Sequence, residues 1–255
     1  MRATVNGNET NYEIHGKEGA PWLTLSHSLA CSVRMWDAQI AAFKDRWHVL
    51  VYDTRGHGGS SAPAGPYALE TLVEDLQGLL KHLKIARTRF VGLSMGGMIG
   101  QLFSLSHPGV FERLVLADTG HAQTPETQKQ WQERIQTAQA NGMQALVQPT
   151  LERWFTEPFR KSAAARKIGE LIAATPVAGY VGCCHAISKL STTARLKDIK
   201  APVLAIAGEQ DVAAAGTRYI GEHVPGARLV MIPQAAHIAN VEQPEAFNRA
   251  LREFL

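Results

Sequence analysis

A regular alternation of short, continuously apolar runs with segments of helical periodicity most constrains what this chain can fold into. The runs lie at residues 22–26, 49–52, 88–91, 114–117, 203–207 and 229–232. Runs without polar alternation are typical of parallel strands that are covered on both faces. Helical patterns over 69–83, over 95–105 and from Pro244 to the end of the chain predict intervening helices. The chain is therefore predicted to be an α/β protein with right-handed crossovers and a mostly parallel, doubly wound sheet with helices on both faces.

Two segments depart from this alternation. The turn signal Asn6-Gly7-Asn8, between residues 4–5 and 12–14, predicts an N-terminal β-hairpin, which brings the number of strands to eight. Residues 122–190 have no strand pattern and are rich in glutamine and helical in character. We therefore predict a core formed by residues 1–121 and 191–255, with residues 122–190 as a helical cap insertion.

The composition excludes several classes of protein. The 26 Lys and Arg residues, against 23 Asp and Glu, are scattered and do not form the basic patch of a nucleic-acid-binding protein. The three cysteines, two of them adjacent, indicate a reducing compartment and no disulfide framework. The sequence shows no apolar signal-peptide stretch, and no apolar run approaches the roughly 20 residues of a membrane span. We expect a cytoplasmic protein whose partner is a small molecule, with no nucleic acid and no membrane.

A candidate nucleophile lies in Gly92-Leu93-Ser94-Met95-Gly96, which matches the pattern G-x-S-x-G. The pattern alone is weak, but here it follows a predicted strand and opens a predicted helix. In that setting a sharp turn lifts the serine hydroxyl clear of the sheet, and the two glycines leave room where strand and helix cross. Ser94 is therefore predicted to be the nucleophile of an acyl transfer.

A serine hydroxyl needs a base to take its proton, and the base needs a carboxylate to orient it. His237 follows the last predicted strand and could reach the serine turn from there. Asp211 follows the run 203–207 through Gly208-Glu209-Gln210, and Asp118, after the run 114–117, is its rival. We favour Asp211, because an acid at that place points towards the loop that carries the histidine.

Acyl transfer also needs two hydrogen-bond donors for the developing oxyanion. The N–H of Met95, one residue after the nucleophile, is the first candidate. The second is expected in the loop after the third strand, where Leu29 is preferred and Ser28 is the adjacent alternative. His27 in the same loop is interpreted as a residue that bonds the loop backbone and fixes the oxyanion hole.

Two other segments invite a ligand and are interpreted as structural. The glycine-rich segment 53–60 lacks both the Gly-Lys-Ser/Thr ending of a P-loop and the G-x-G-x-x-G order before a helix. Cys183, Cys184 and His185 are adjacent in a helical region, and no second ligand pair lies at zinc spacing. We predict neither a metal site nor a cofactor.

With these residues in place, the chain resembles the α/β-hydrolase fold superfamily over its whole length, and more narrowly the 3-oxoadipate enol-lactonases. The serine turn specifies only the superfamily, whereas the segments 179–184 and 235–244 are more particular to the lactonases. Further resembling segments are 27–29, 34–37, 52–60, 91–97 and 154–156. The resemblance implies a triad of Ser94, Asp211 and His237. It also implies hydrolysis of 3-oxoadipate enol-lactone to 3-oxoadipate in bacterial breakdown of protocatechuate or catechol.

Two departures from the family pattern bear on the substrate. Ala30-Cys31 stands where the family usually has glycine after Leu29, and residues 212–215, Val-Ala-Ala-Ala, replace a proline-containing segment after Asp211. The first could reshape the oxyanion loop. A general carboxylesterase or a cofactor-free perhydrolase is therefore the same-fold alternative, and a slow-turnover signal receptor is the alternative from another class.

The substrate contacts are expected in the helical insertion. A carboxylate beside the lactone ring needs a cationic or hydrogen-bonding partner, because an unpaired buried charge is costly. Trp131 and Trp154 offer apolar walls and indole N–H donors. The candidate carboxylate partners are Arg134, Arg153, Arg160 and His185.

Overall fold

In the computed structural model, which describes residues 1–255, eight strands form one sheet in the order β1-β2-β4-β3-β5-β6-β7-β8. The strands are β1 (Arg2–Val5), β2 (Asn8–Gly16), β3 (Trp22–Ser26), β4 (His48–Tyr52), β5 (Thr88–Leu93), β6 (Phe111–Ala117), β7 (Val203–Gly208) and β8 (Arg228–Ile232). β2 pairs antiparallel with both β1 and β4, and every other neighbouring pair is parallel. The predicted class, the strand number and the N-terminal hairpin are confirmed.

Ten α-helices connect or follow these strands. They are α1 (Asp37–Phe43), α2 (Leu69–His82), α3 (Met95–Ser106), α4 (Pro125–Asn141), α5 (Gln144–Trp154), α6 (Ala163–Ala174), α7 (Val177–Ile187), α8 (Ala214–His223), α9 (Ala239–Glu242) and α10 (Pro244–Phe254). The helices predicted from leucine spacing, from the segment after the serine turn and from Pro244 correspond to α2, α3 and α10. The sequence analysis predicts no helix at α1, α8 or α9, because these helices are short and give a weak periodic signal.

The strand order determines where functional groups gather. From β3 the chain steps to β4 on one side and then crosses to β5 on the other side of β3. With right-handed crossovers, the connections through α1 and α2 therefore lie on opposite faces of the sheet. Ligands of open parallel sheets bind beyond the carboxyl ends of the strands at such a reversal. Ser94 follows β5 and the loop with Leu29 follows β3, so both lie at this point.

The segment between β6 and β7 is helical, with α4 packed against α5 and α7, and α5 packed against α6. An isolated antiparallel bridge pairs Ala122 with Ser191 where the chain leaves and re-enters the sheet. α7 approaches the loop after β4 very closely, since a Cβ added to Gly56 or Gly179 would meet backbone of the other at 2.4 Å or less. Through α7, the helical segment α4–α7 therefore packs closely against the carboxyl edge of the sheet.

The buried side chains of the helices α6 and α7 are mostly apolar. Cys183 and Cys184 on α7 are both buried free thiols, in agreement with their interpretation as packing residues. No individual helix of the protein combines the length and the apolar composition that a bilayer crossing needs. α6 and α7 meet that test only when taken together, and they are bent by 97° relative to each other.

Candidate active site

Ser94 occupies the sharp turn between β5 and α3, with φ +54° and ψ −111°. Positive φ is uncommon for a residue with a side chain and persists where the surroundings fix it. The glycines make this packing possible: a Cβ on Gly96 would meet the Ser26 carbonyl oxygen at 2.1 Å, and one on Gly92 would meet Gly96 at 2.2 Å. The turn places the Ser94 side chain at the carboxyl edge of the sheet, where it remains 9% exposed.

Ser94, His237 and Asp211 form a continuous hydrogen-bonded chain. The Nε2 of His237 lies 3.0 Å from the Oγ of Ser94, and its Nδ1 lies 2.9 Å from the Oδ1 of Asp211. Burial alone would raise the pKa of Asp211, but the charge and hydrogen bond of His237, together with the Ala213 N–H, hold that pKa below its ordinary value. The carboxylate is thus charged, and it fixes the histidine tautomer that leaves Nε2 free to accept the serine proton.

The rival acid Asp118 is wholly buried at the end of β6. Its Oδ1 accepts a hydrogen bond from the Gly208 N–H at 2.8 Å, and none of its hydrogen bonds goes to His237. Of the two candidate acids, the structure therefore brings Asp211, not Asp118, to the histidine.

The backbone N–H groups beside Ser94 are suited to stabilise an oxyanion. The N–H of Met95 lies in the first turn of α3, where helices provide no intrahelical acceptor. In the loop after β3, the N–H of Ser28 is directed at the Met35 sulfur and that of Ala30 donates to His57. The N–H of Leu29 between them has no hydrogen-bond partner within the protein. The geometry therefore favours Leu29 over its neighbour Ser28.

Two buried histidines hold this loop in place. His27 receives the Thr54 N–H on Nε2 and bonds the Ser28 carbonyl through Nδ1, and His57 receives the Ala30 N–H on Nε2. Burial lowers the pKa of both rings, that of His57 to about 3, so both are neutral and can accept these bonds. His27 thus makes the backbone bonds expected of it. Ala30, in the place of the family's usual glycine, has φ +56°, so the loop keeps a left-handed residue there despite the substitution.

A buried carboxylate that the sequence analysis missed connects the histidine loop to the helical segment. The Oε2 of Glu242 accepts the Ala236 N–H at 2.8 Å, one residue before His237. Its Oε1 accepts the Thr156 N–H at 2.9 Å and also the Thr156 hydroxyl. The sequence signal that could have identified Glu242 is that it is the single charged residue in the segment 235–243, between the last predicted strand and Pro244.

Replacing Glu242 with glutamine is expected to lower the free energy of unfolding by about 1.5–3 kcal/mol, the value of hydrogen bonds to a charged group. The amide nitrogen would face an N–H donor and leave it unsatisfied. Urea unfolding measures the change. Glu245→Gln, at an exposed position one turn away, is the control and should stay within about 0.5 kcal/mol of the wild type. Equal effects of the two substitutions would contradict the role given to Glu242.

The structure places the predicted substrate-contact residues in different surroundings, and only some of them lie near His237 or are free of other partners. Trp154 lies over His237, with ring centroids 5.9 Å apart, whereas the indole N–H of Trp131 is already donated to the Gln123 side chain. Arg160 donates to the carbonyl oxygens of Phe155 and Glu152, so its guanidinium caps the C-terminal end of α5. His185 lines a groove between α4, α7 and residues 64–66, and none of the triad residues lines that groove. Arg134 and Arg153 form no ion pair with a carboxylate.

Comparisons with known proteins agree with this geometry. A family model described as alpha/beta hydrolase fold matches residues 21–244. The 3-oxoadipate enol-lactonase 2 of Acinetobacter baylyi is 39% identical over 245 residues, which cover 94% of this chain and 91% of that protein. A putative carbamate hydrolase, RutD of Stutzerimonas stutzeri, is 30% identical and covers 96% of each chain.

Among solved structures, the enol-lactonase from Burkholderia xenovorans LB400 matches with a TM-score of 0.95 and 39% identity, over 100% of this chain and 99% of that one. A thermophilic esterase from Thermogutta terrifontis matches with a TM-score of 0.92 at 26% identity, over 99% of this chain and 96% of that one. The family match and these relatives each span nearly the whole chain. The chain belongs to the α/β-hydrolase fold family, and within it the chain is similar to 3-oxoadipate enol-lactonases.

Proposed function

We propose that this protein is a serine hydrolase of carboxylic esters that opens 3-oxoadipate enol-lactone by acyl-enzyme chemistry. The observation that carries the proposal is the chain Ser94–His237–Asp211, with both histidine hydrogen bonds at 3.0 Å or less and two free backbone N–H groups beside the serine. A nucleophile, an oriented base and an oxyanion hole at one point are the parts that acyl transfer needs.

In the first half-reaction, Ser94 Oγ bonds to the lactone carbonyl carbon while His237 Nε2 takes its proton. The carbonyl oxygen becomes an oxyanion that accepts the Leu29 and Met95 N–H groups. The bond to the ring oxygen then breaks, the released enolate takes the proton from His237, and the resulting enol tautomerises to the ketone. In the second half-reaction, His237 takes a proton from the water that attacks the acyl carbon, and it returns this proton to the Oγ of Ser94 as the bond between Oγ and the acyl carbon breaks.

The choice of lactone rests on the relatives. Two curated relatives, at 39% and 33% identity, and one solved structure are named as enol-lactonases. Such a substrate has a leaving group that becomes a ketone, so ring opening is downhill and the site needs positioning more than a strong general acid. The helical segment α4–α7 would act as the cap that supplies this positioning, since Trp154 already lies over His237. The reaction would serve the bacterial breakdown of protocatechuate or catechol.

Two arginines in the cap segment are suited to hold the substrate carboxylate. Arg153 on α5 donates to the Thr150 hydroxyl at 3.1 Å, and Thr150 lies one helical turn before Trp154, the residue over His237. Arg134 on α4 lies 4.4 Å above the Trp131 ring. Burial and the neighbouring charge of Arg134 lower the pKa of Arg153 to about 10. Two like charges brought together without an acidic partner would be stabilised by a bound anion.

We expect Arg153→Met to reduce kcat/KM for the carboxylate-bearing lactone by about 10- to 100-fold, the value of a charge-assisted hydrogen bond. Hydrolysis of the uncharged ester p-nitrophenyl acetate should change far less, because it has no carboxylate to bind. Lys167→Met, at an exposed position on α6, is the matched control for removal of a positive charge. Steady-state assays of both substrates measure the difference.

Two results would contradict the lactone assignment. The first is an equal loss on both substrates in Arg153→Met. The second is a wild-type enzyme that hydrolyses a neutral lactone of the same size as well as the charged one, instead of preferring the charged one by roughly 1–3 kcal/mol in kcat/KM. That pattern would favour a general esterase of the same mechanism.

A further inference from the structure

Two buried carboxyl groups meet behind the histidine of the candidate site. The side chains of Asp118, at the end of β6, and Asp211, after β7, lie close enough to form a hydrogen bond once one of the two carboxyl groups carries a proton. The Oδ1 of each is already occupied: in Asp118 by the Gly208 N–H, and in Asp211 by His237 and the Ala213 N–H. The Oδ2 of each is fully buried and receives no N–H group and no hydroxyl.

A hydrogen bond between these two carboxyl groups requires a proton. An ionised carboxylate can only accept, so two ionised groups would face each other with repelling charges and unsatisfied oxygens. One proton shared between the two Oδ2 atoms removes both costs. The same pairing accounts for both of the buried oxygens that otherwise lack a partner.

The partners of each group decide which one carries the proton. Asp211 is bonded to His237, whose positive charge during the reaction favours the ionised carboxylate. Asp118 accepts the backbone N–H of Gly208 and has no cationic side chain as a partner. Burial and the charge of Asp211 raise the pKa of Asp118 well above its ordinary value, whereas the pKa of Asp211 is lowered. The proton therefore belongs to Asp118.

The backbone of Asp118 is held in an unusual conformation that serves this contact. Its φ is +46°, and its N–H donates to the Ile206 carbonyl of β7 at 2.8 Å. The next N–H, of Thr119, donates to the Thr217 hydroxyl at 2.9 Å. These bonds fix the end of β6 so that the carboxyl group points across to the loop after β7.

We propose that Asp118 is a positioning residue that, as a neutral carboxylic acid, donates a hydrogen bond to the Oδ2 of Asp211 and holds Oδ1 towards His237. The kinetic consequence rests on the hydrolase chemistry proposed above, whereas the protonation of Asp118 does not. Asparagine can reproduce the arrangement, because its oxygen can accept the Gly208 N–H while its NH₂ donates to Asp211. Asparagine also tolerates positive φ.

The first test compares Asp118→Asn with Asp118→Gly, using p-nitrophenyl acetate so that the result does not depend on the lactone. Glycine removes the donor, together with the acceptor of the Gly208 N–H, and adopts positive φ without strain. We expect Asp118→Asn to retain kcat within a few-fold, and Asp118→Gly to lose about 10- to 100-fold, the value of a hydrogen bond to a charged group. Equal losses in the two variants would overturn the positioning role.

The second test asks directly whether Asp118 is neutral. On the acid side of the pH profile, kcat/KM should fall as His237 becomes protonated; we call this fall the acid limb. The acid limb should lie at the same pH in Asp118→Asn as in the wild type, because the substitution removes no charge. A shift of that limb to lower pH would show that an ionised Asp118 had been lost, and would overturn the proposal. Infrared spectra at neutral pH should show a protonated-carboxyl carbonyl stretch that disappears in Asp118→Asn and persists in Asp45→Asn, at an exposed position. Its absence from the wild type would also overturn the proposal, even if the protein hydrolysed no ester.

Discussion

Replacing Ser94 with alanine is expected to lower kcat by roughly 10³–10⁶ on both the lactone and p-nitrophenyl acetate, the range found when a triad nucleophile is removed from other hydrolases. The loss is large because Ser94 carries the hydroxyl that His237 Nε2 contacts, at 3.0 Å. Folding should be unaffected, because alanine occupies the same left-handed position and the packing of Gly92 and Gly96 does not involve the hydroxyl. Steady-state kinetics and thermal unfolding measure the two effects separately.

A chemical label gives this prediction an independent readout. A phosphonofluoridate should modify the wild type stoichiometrically at Ser94, which peptide mass spectrometry locates, and should not modify Ser94→Ala. Ser104→Ala, which removes another buried hydroxyl on the same helix, is the control and should keep both activity and labelling. A Ser94→Ala variant that keeps more than about a tenth of the activity would exclude an acyl-enzyme on this serine.

The fold could be predicted from the sequence, and Ser94, His237 and Asp211 could be named as candidates, because their signals are local. Continuous apolar runs identify parallel strands wherever both faces are covered, and the runs that became β5 and β7 are almost wholly buried. The serine turn is encoded by five consecutive residues, because steric clearance at that turn demands glycine on both sides of Ser94. His237 and Asp211 could be placed because each follows a recognisable strand, and the carboxyl ends of parallel strands meet at one edge.

The remaining contacts of the site depend on distances between segments far apart in the chain. Glu242 holds both Ala236, in its own loop, and Thr156, which is 86 residues away in sequence, and no local pattern shows that these donors will converge on it. The preference for Leu29 over Ser28 depends on which neighbouring N–H groups find other acceptors. Asp118 could be placed at the end of its strand, but its position beside Asp211 becomes visible only when the ends of β6 and β7 lie side by side.

The second large effect is expected for Asp211→Asn, which should lower kcat by roughly 10³–10⁴, since an amide neither stabilises the imidazolium nor enforces the correct tautomer. Asp118→Asn should cost far less. The two sites are coupled, because the amide NH₂ introduced by Asp211→Asn would donate to Asp118 and allow that carboxyl group to ionise.

The ionised Asp118 would then supply a weak, more distant negative charge for the imidazolium. We therefore expect the double variant Asp118→Asn/Asp211→Asn to have a lower kcat than Asp211→Asn. The ratio of these two kcat values should be larger than the ratio by which Asp118→Asn alone lowers the kcat of the wild type. A double-mutant cycle on kcat measures this coupling. Small and similar losses in both single variants would mean that neither aspartate orients His237 and that the acid of the triad lies elsewhere.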